Sequence, residues 1–347
     1  MKKRKNILII GYFGYVDNQL DGQTVRTRSI YKLVARKLTN YNINNYDTQK
    51  LQSNKLSIFR LISYCIKSHS IFYLPGQNNL KYFFLPLFFL SKALNINLYY
   101  FAIGGWLPEF IHRRYFIKKS LSKLKVIFVQ NKAVKQKLIE QQGFKNISML
   151  PNFRLTEFTP AITENNLEHY QLKIVFMGRV HPLKGIDTIF RMSEQIYNSF
   201  DESPMKIDFY GPIDKNIETY FYCNVEKFGF INYKGILEPD DIYDTLSKYD
   251  VLVLPTKYPG EGFPGSILDA YISGIPVIVS NYKYLSEVVE EGKSGFLIDV
   301  DDEIKLFHYI KYLYSNPEKL IEMKHYAYTK SKQYTPEVAW ESIKKHL

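Results

Sequence analysis

The chain has 347 residues, 46% of them apolar, enough to bury a sizeable core and, on length, to form two domains rather than one. Its two cysteines, Cys65 and Cys223, lie far apart without metal-ligand spacing, which excludes a disulfide framework and points to reduced thiols in a cytosolic protein. The net charge of +12 conceals a division: residues 1–155 hold 26 basic and 5 acidic side chains, a balance of +21, and the rest hold 20 and 29, a balance of −9.

In chain order, MKKRKNILIIGYFGYVD imitates a signal peptide, but its apolar run breaks at Gly11 and no small-residue cleavage site follows, so a buried first strand is expected at 7–11. Further strand-length apolar runs lie at 70–76, 96–105, 125–131 and 147–152, with segments of helical period between them. The most apolar of those segments, YFFLPLFFLSKAL at 82–94, is shorter than the roughly 20 residues of a spanning helix and carries Pro86 and Lys92. FRLTEFTPAITENNLEH, 153–169, has no clear period and reads as a linker. The strand pattern resumes at 173–178, 206–211, 250–255, 276–281 and 295–300. Near-continuous apolar strands alternating with helices predict α/β architecture twice over: two Rossmann-like domains with parallel sheets, 1–155 and 156–347, the last helix being free to pack back on the first domain. Ligands of such sheets bind beyond the carboxyl ends of the strands, so two domains facing each other would set a site in a cleft.

After the strand at 173–178 comes GRVHPLKG, in which Gly178 permits a tight turn and Arg179 and Lys184 flank a loop entering a helix. Two cations beside a helix N-terminus suit an anion such as phosphate; alone, the motif is more often a solvated loop. YPGEGFPGSILDAYISG, 258–274, follows the strand at 250–255. Its prolines and glycines keep Glu261 in a loop, and a helix starting at Gly265 or Ser266 and ending at Gly274 places Asp269 in its first turn. Ser266 and Asp269 also read as an S-x-x-D capping box, in which Asp269 serves only its own helix. Asp240–Asp241 and Asp301–Asp302 read as helix starts rather than metal ligands. Gly11, Gly14 and Gly22 lie between the first strand and the first helix, where backbone can approach a ligand. Arg26 and Arg28, just beyond, either meet an anionic acceptor or face solvent.

GRVHPLKG followed by EGFPGSILD (261–269), SGIPVIVSN and EVVEEGKSGFLI resembles glycosyltransferase family 4 of the GT-B fold. The resemblance covers the C-terminal half in order, including FYG (209–211) and YKGIL (233–237); the N-terminal half agrees mainly in architecture. It implies a retaining, metal-independent transferase with a nucleotide-sugar donor, in which Arg179 and Lys184 hold the diphosphate in place of a divalent metal. Glu261 to Asp269 would be this chain's form of the family's E-x7-E motif. Glu261 and the backbone of Gly262, Phe263, Pro264 and Gly265 would meet the donor sugar, and Asp269 the ribose, with one methylene less reach than glutamate. Gly14, Gly22, Gly178 and Leu237 complete the implied donor set. Relatives often carry a histidine after the fourth N-domain strand, where this chain has IGGWLPEF; Gly104, Gly105, Glu109 and Arg26 are the acceptor-side candidates. His112 reads as a surface residue and His181 as a bystander, and front-face attack needs no enzymic base.

The resemblance further implies UDP- or GDP-sugar donors and a lipid-linked acceptor in capsule, O-antigen or exopolysaccharide synthesis. The basic half, with NLKYFFLPLFFLSKAL and RRYFIKKSLSKLK, suits peripheral attachment to the anionic inner face of the cell membrane. No nucleic-acid module accompanies the charge. The alternatives are a non-catalytic sugar- or glycoprotein-binding subunit of a partner transferase and a nucleotide-sugar epimerase.

Overall fold

The structure is a computed structural model that describes residues 5–15, 21–162 and 171–347, apart from the side chains at 52 and 53. The basic head at 1–4 and most of the second half of the expected linker, 163–169, lie outside the described residues. Two compact units form: residues 1–155 with 334–347, and residues 156–333. The returning C-terminal segment brings equal numbers of acids and bases, so the first unit keeps its +21 and the second its −9.

The first unit is a six-stranded parallel sheet of β1 (Lys5–Gly11), β2 (Tyr41–Asp47), β3 (Ser70–Leu74), β4 (Asn97–Phe101), β5 (Val126–Val129) and β6 (Ile147–Met149), in the order β2-β1-β3-β4-β5-β6. The connection from β1 to β2 runs opposite to those from β2 onward. With right-handed crossovers, the helix Gly22–Lys37 therefore covers one face, and the helices Ser57–Ile66, Phe84–Ala93 and Tyr115–Leu121 cover the other. Ile30, Leu33 and Val34 accordingly join Ile7, Ile9, Phe72 and Phe101 in one core, which the C-terminal helix Pro336–Lys344 completes with Ala339 and Ile343.

The second unit holds β7 (Leu172–Met177), β8 (Met205–Tyr210), β9 (Ile231–Tyr233), β10 (Val251–Leu254), β11 (Val277–Ser280) and β12 (Gly295–Ile298), in the order β12-β11-β10-β7-β8-β9. All its named pairings are parallel. Strand order reverses between β10 and β7, so the connections leaving these neighbours diverge and open a crevice at their carboxyl ends.

Two strands were not expected from sequence. β2, YNINNYD, is an edge strand rich in asparagine, a residue depleted in strands, and its seven residues are held by pairing with all seven of β1. β9 is also an edge strand and is only three residues long. The apolar segment after β3 divides at Phe83 into the helices Gln77–Tyr82 and Phe84–Ala93, with Pro86 tolerated in the opening turn of the second. Among the described residues no helix is long and apolar enough to cross a membrane.

Candidate active site

The loops leaving β7 and β10 meet at the reversal point of the second sheet. Gly178 follows β7 with φ of 158°, and Gly211 follows β8 with φ of 130°. A Cβ on Gly211 would lie 2.0 Å from the Gly178 carbonyl oxygen, so the close approach of these two turns requires glycine. Arg179 then stands exposed and pairs with no carboxylate among the described residues. His181 accepts from the Leu183 amide through Nδ1 at 3.0 Å and caps the short 3-10 turn Pro182–Lys184; its Nε2 lies 3.8 Å from Asp214. The structure thus gives His181 a local structural role.

Gly185 connects this turn to the helix Ile186–Ser199 with φ of 81°, and a Cβ there would meet the Pro255 carbonyl oxygen at 2.0 Å. The glycine is what lets the β7 loop lie against the exit of β10. Gly185→Ala is expected to lower stability by roughly 3 kcal/mol from backbone strain and overpacking, read as a fall in the thermal midpoint of the full chain. A midpoint unchanged within error would show that the approach relaxes freely.

Across that contact the Lys184 ammonium lies 2.6 Å from Glu261 Oε2, with the side chains 19% and 8% exposed, and 4.9 Å from the Tyr258 ring centroid. Thr256, fully buried, is missing from the sequence-based set. Its hydroxyl lies 3.0 Å from Glu261 Oε2 and 3.2 Å from the Leu183 carbonyl, and it accepts from the Tyr258 amide at 3.2 Å. One hydroxyl proton serves only one of the two oxygens at a time, so Thr256 ties Glu261 to the β7 loop. The Lys257 amide donates to Leu183 O at 2.9 Å, and the Ser280 hydroxyl, from the end of β11, donates to the Thr256 carbonyl. The only sequence signal for Thr256 was its place directly after the β10 exit at Pro255.

Gly262, Phe263 and Pro264 are buried and lead into the helix Gly265–Ile272, whose N-cap is Pro264 and which no side chain caps. This corrects two expectations. Ser266 is inside the helix, so no capping box forms with Asp269, and Asp269 is the fifth helical residue rather than part of the first turn. Its carboxylate is buried at 4% exposure and accepts from the Tyr243 hydroxyl at 3.5 Å; Phe158 stacks on Tyr243 with ring centroids 5.7 Å apart. Leu237 lies half-buried in the segment after β9, beyond Gly235, whose φ is 82°. Asp241 and Asp302 are N-cap residues, and Asp302 accepts from the Lys305 amide; Asp301 is held by Lys257 at 2.7 Å, which keeps its carboxyl below the usual range.

In the first unit, the loop after β1 is organised by Asp47 at the carboxyl end of β2. Its buried carboxylate accepts from the amides of Phe13 (3.1 Å), Tyr15 (3.1 Å) and Gln49 (3.0 Å). Arg28 donates to the carbonyls of Phe13 (2.7 Å) and Gly14 (3.0 Å). Gly14 has φ of 64°, and Gly22 opens its helix behind an Asp21–Thr24 capping box. Asp47 escaped the sequence reading because its strand did.

Arg26 requires correction as an acceptor contact. It is 3% exposed, donates to Leu150 O at 3.0 Å and Asn152 Oδ1 at 3.4 Å, and lies 4.9 Å from the Phe153 ring centroid. Burial, and secondarily Arg154, pushes its guanidinium down to about 9. It pins the chain as it leaves β6. After β4, Gly104 has φ of 81° and its amide donates to Gln130 at 3.3 Å, Gly105 is buried, and Glu109 is exposed in an ion pair with Lys137 at 3.6 Å. His112 is exposed.

Residues 159–330, nearly all of the second unit, match the family model described as glycosyl transferases group 1. Residues 159–330 are a group 1 glycosyl transferase region. The group 1 region therefore includes both loops of the crevice. Among curated relatives, a D-inositol 3-phosphate glycosyltransferase of Corynebacterium urealyticum is 26% identical over 57% of this chain and 48% of its own. A UDP-Gal:alpha-D-GlcNAc-diphosphoundecaprenol alpha-1,3-galactosyltransferase of Escherichia coli is 27% identical over 45% and 42%. The chain spans about half the length, or less, of these curated relatives. Among solved structures, Anabaena Alr3699/HepE in complex with UDP-glucose superposes with a TM-score of 0.74 at 13% identity over 98% of both chains, which shows the GT-B fold.

Proposed function

We propose that this chain is a retaining, family 4 glycosyltransferase that moves a sugar from UDP or GDP to a lipid-linked glycan acceptor in the synthesis of a surface polysaccharide. The observation that carries the reading is the meeting of Lys184 and Glu261 at the reversal point of a nucleotide-binding type of sheet, with Arg179 exposed in the same loop after β7. The donor diphosphate binds Arg179, Lys184 and the amides at the start of the helix Gly265–Ile272. Glu261 accepts from hydroxyls of the sugar, and Asp269 from the ribose. As the bond from the anomeric carbon to phosphate oxygen breaks, the cations stabilise the charge that gathers on phosphate. The acceptor hydroxyl attacks from the face the leaving group vacates and gives its proton to the departing phosphate oxygen. Before the donor arrives, Lys184 and Glu261 neutralise each other; binding redirects the lysine to phosphate and the carboxylate to the sugar. Relatives named for diphosphoundecaprenol and O-antigen substrates support the acceptor class.

The test is release of nucleoside diphosphate from a panel of UDP- and GDP-sugars, with and without chelator. Turnover with at least one donor, undiminished by chelator, is expected. Absence of release from every donor would favour a non-catalytic subunit, and an absolute Mg²⁺ requirement would overturn the assigned role of the two cations.

Attachment to an anionic membrane rests on the helices Ser57–Ile66, Phe84–Ala93 and Tyr115–Leu121 on one face of the first unit's sheet. Residues 50–125 contain twelve basic side chains and one acidic one. On the same helices Phe59, Phe89, Tyr115 and Phe116 are 64–73% exposed, and Lys119 lies 5.5 Å from the Tyr115 ring centroid. Aromatic groups reaching the headgroup level beside lysines and arginines suit anionic lipid, each cation contributing about 1 kcal/mol. The chain is expected to co-sediment with phosphatidylserine vesicles at low salt and to be released as screening shortens to roughly 8 Å at physiological ionic strength. Reversal of Arg113, Lys118 and Lys119 should weaken sedimentation. A chain that stays in the supernatant at low salt would point to a soluble acceptor.

A further inference from the structure

A polar groove runs along the free edge of the first sheet, apart from the carboxyl-end loops. Two open cavities of ≈550 Å³ each share Tyr64 and together follow β2. The lower one is bounded by Asn6, Asn42, Asn44, Tyr41 and Lys67, the upper by Asn45, Tyr46, Lys50, Ser57 and Arg60. The amides are fixed locally: Asn42 donates to Asn6 at 3.0 Å, and Asn6 to the Lys67 carbonyl at 2.7 Å. Arg60 donates to the Tyr64 hydroxyl at 2.8 Å and its guanidinium lies 5.3 Å from that ring's centroid, so cation and ring are held as one unit. Among the described residues lining the groove there is no carboxylate.

We propose that this groove binds an anionic oligosaccharide, the previously built part of the acceptor chain. The amides of Asn44 and Asn45 match sugar hydroxyls as paired donor and acceptor, the half-buried Tyr64 offers ring surface to a pyranose, and the exposed Lys50, Arg60 and Lys67 meet carboxylate or phosphate substituents. Residues 41–46 extend about 17 Å, long enough for a short run of sugars rather than one. The groove starts at the amino-terminal half of β2 and ends at Lys50, three residues after Asp47, whose carboxylate holds the loop after β1. A glycan lying in it therefore leads to the carboxyl end of the sheet, where ligands of such sheets react. The free strand edge would also suit addition of a peptide strand, but the cationic, amide-rich lining favours a glycan.

The glycan's identity as acceptor rests on the transferase reading; its binding does not, which separates the two in experiment. The probe is an oligogalacturonate of about six units, titrated calorimetrically into the full chain, with a neutral maltohexaose as control. Saturable binding of the acidic oligomer, at least tenfold tighter than the neutral one, is expected. Arg60→Ala with Lys67→Ala should weaken it at least tenfold, and Asn44→Ala with Asn45→Ala about as much, while nucleoside diphosphate release from the donor stays at the wild-type rate. Equal affinity for wild type and both variants would overturn the proposal, as would loss of binding only on reversal of Arg113, Lys118 and Lys119. No detectable binding of the acidic oligomer at millimolar concentration would do the same.

Discussion

Replacing Arg179 or Lys184 with alanine is expected to lower sugar transfer by about a hundredfold, the scale seen when one donor to developing transition-state charge is removed. The two substitutions should differ in their second effect. Arg179 is exposed, so Arg179→Ala should leave the thermal midpoint unchanged. Lys184 is the ion-pair partner of a carboxylate that is 8% exposed, so Lys184→Ala leaves that charge buried without its cation and should also cost stability. Lys184→Met combined with Glu261→Gln removes both charges and should recover the midpoint without recovering transfer. Wild-type turnover in either folded single variant would refute the assignment of the leaving-group site to this loop.

Glu261→Gln is expected to reduce transfer by roughly fiftyfold, the loss of about 2–3 kcal/mol from a hydrogen bond to a charged acceptor. The shape of Gln is retained, so Thr256 keeps a partner and the loop its path. The loss should appear in kcat if Glu261 grips the sugar more tightly as the anomeric carbon reacts. Asp269→Asn, by contrast, should raise the KM for donor with little change in kcat, because a ribose contact is remote from the breaking bond. If Asp269→Asn left donor affinity untouched, the carboxylate would belong to Tyr243 and the packing of its helix alone. If Glu261→Gln proved silent, the pairing with Lys184 would be structural only.

Much of this molecule could be read along the chain because its strands are nearly all buried on both faces. Runs such as ILIIG, KIVFM and VLVLP announce themselves by composition, and the turns that follow them carry glycines, cations and acids in fixed order. That is why Arg179, Lys184, Glu261 and Asp269 could be singled out without coordinates. β2 and β9 could not: β2 is made mostly of asparagine and tyrosine and β9 is only three residues long, so their existence depends on the neighbour they pair with. Asp47, the anchor of the loop after β1, was hidden with them.

Local sequence fixed the order of elements and the residue types at strand ends, since periodicity and turn chemistry act over a few residues. Tertiary structure decided how those residues are employed. The S-x-x-D pattern at Ser266 is a plausible cap by itself, yet the helix starts at Gly265 and Asp269 turns toward Tyr243. Arg26 sits on a helix in a basic domain and reads as an exposed cation, yet it is buried because the carbonyl of Leu150 and the amide of Asn152, more than 120 residues away in sequence, supply acceptors. Lys184 and Glu261, separated by 77 residues, become an ion pair only because strand order reverses between β7 and β10 and a glycine at 185 lets the two loops touch. Contacts of that range are set by how strands are ordered in a sheet, and pattern within a window of residues carries no information about that order.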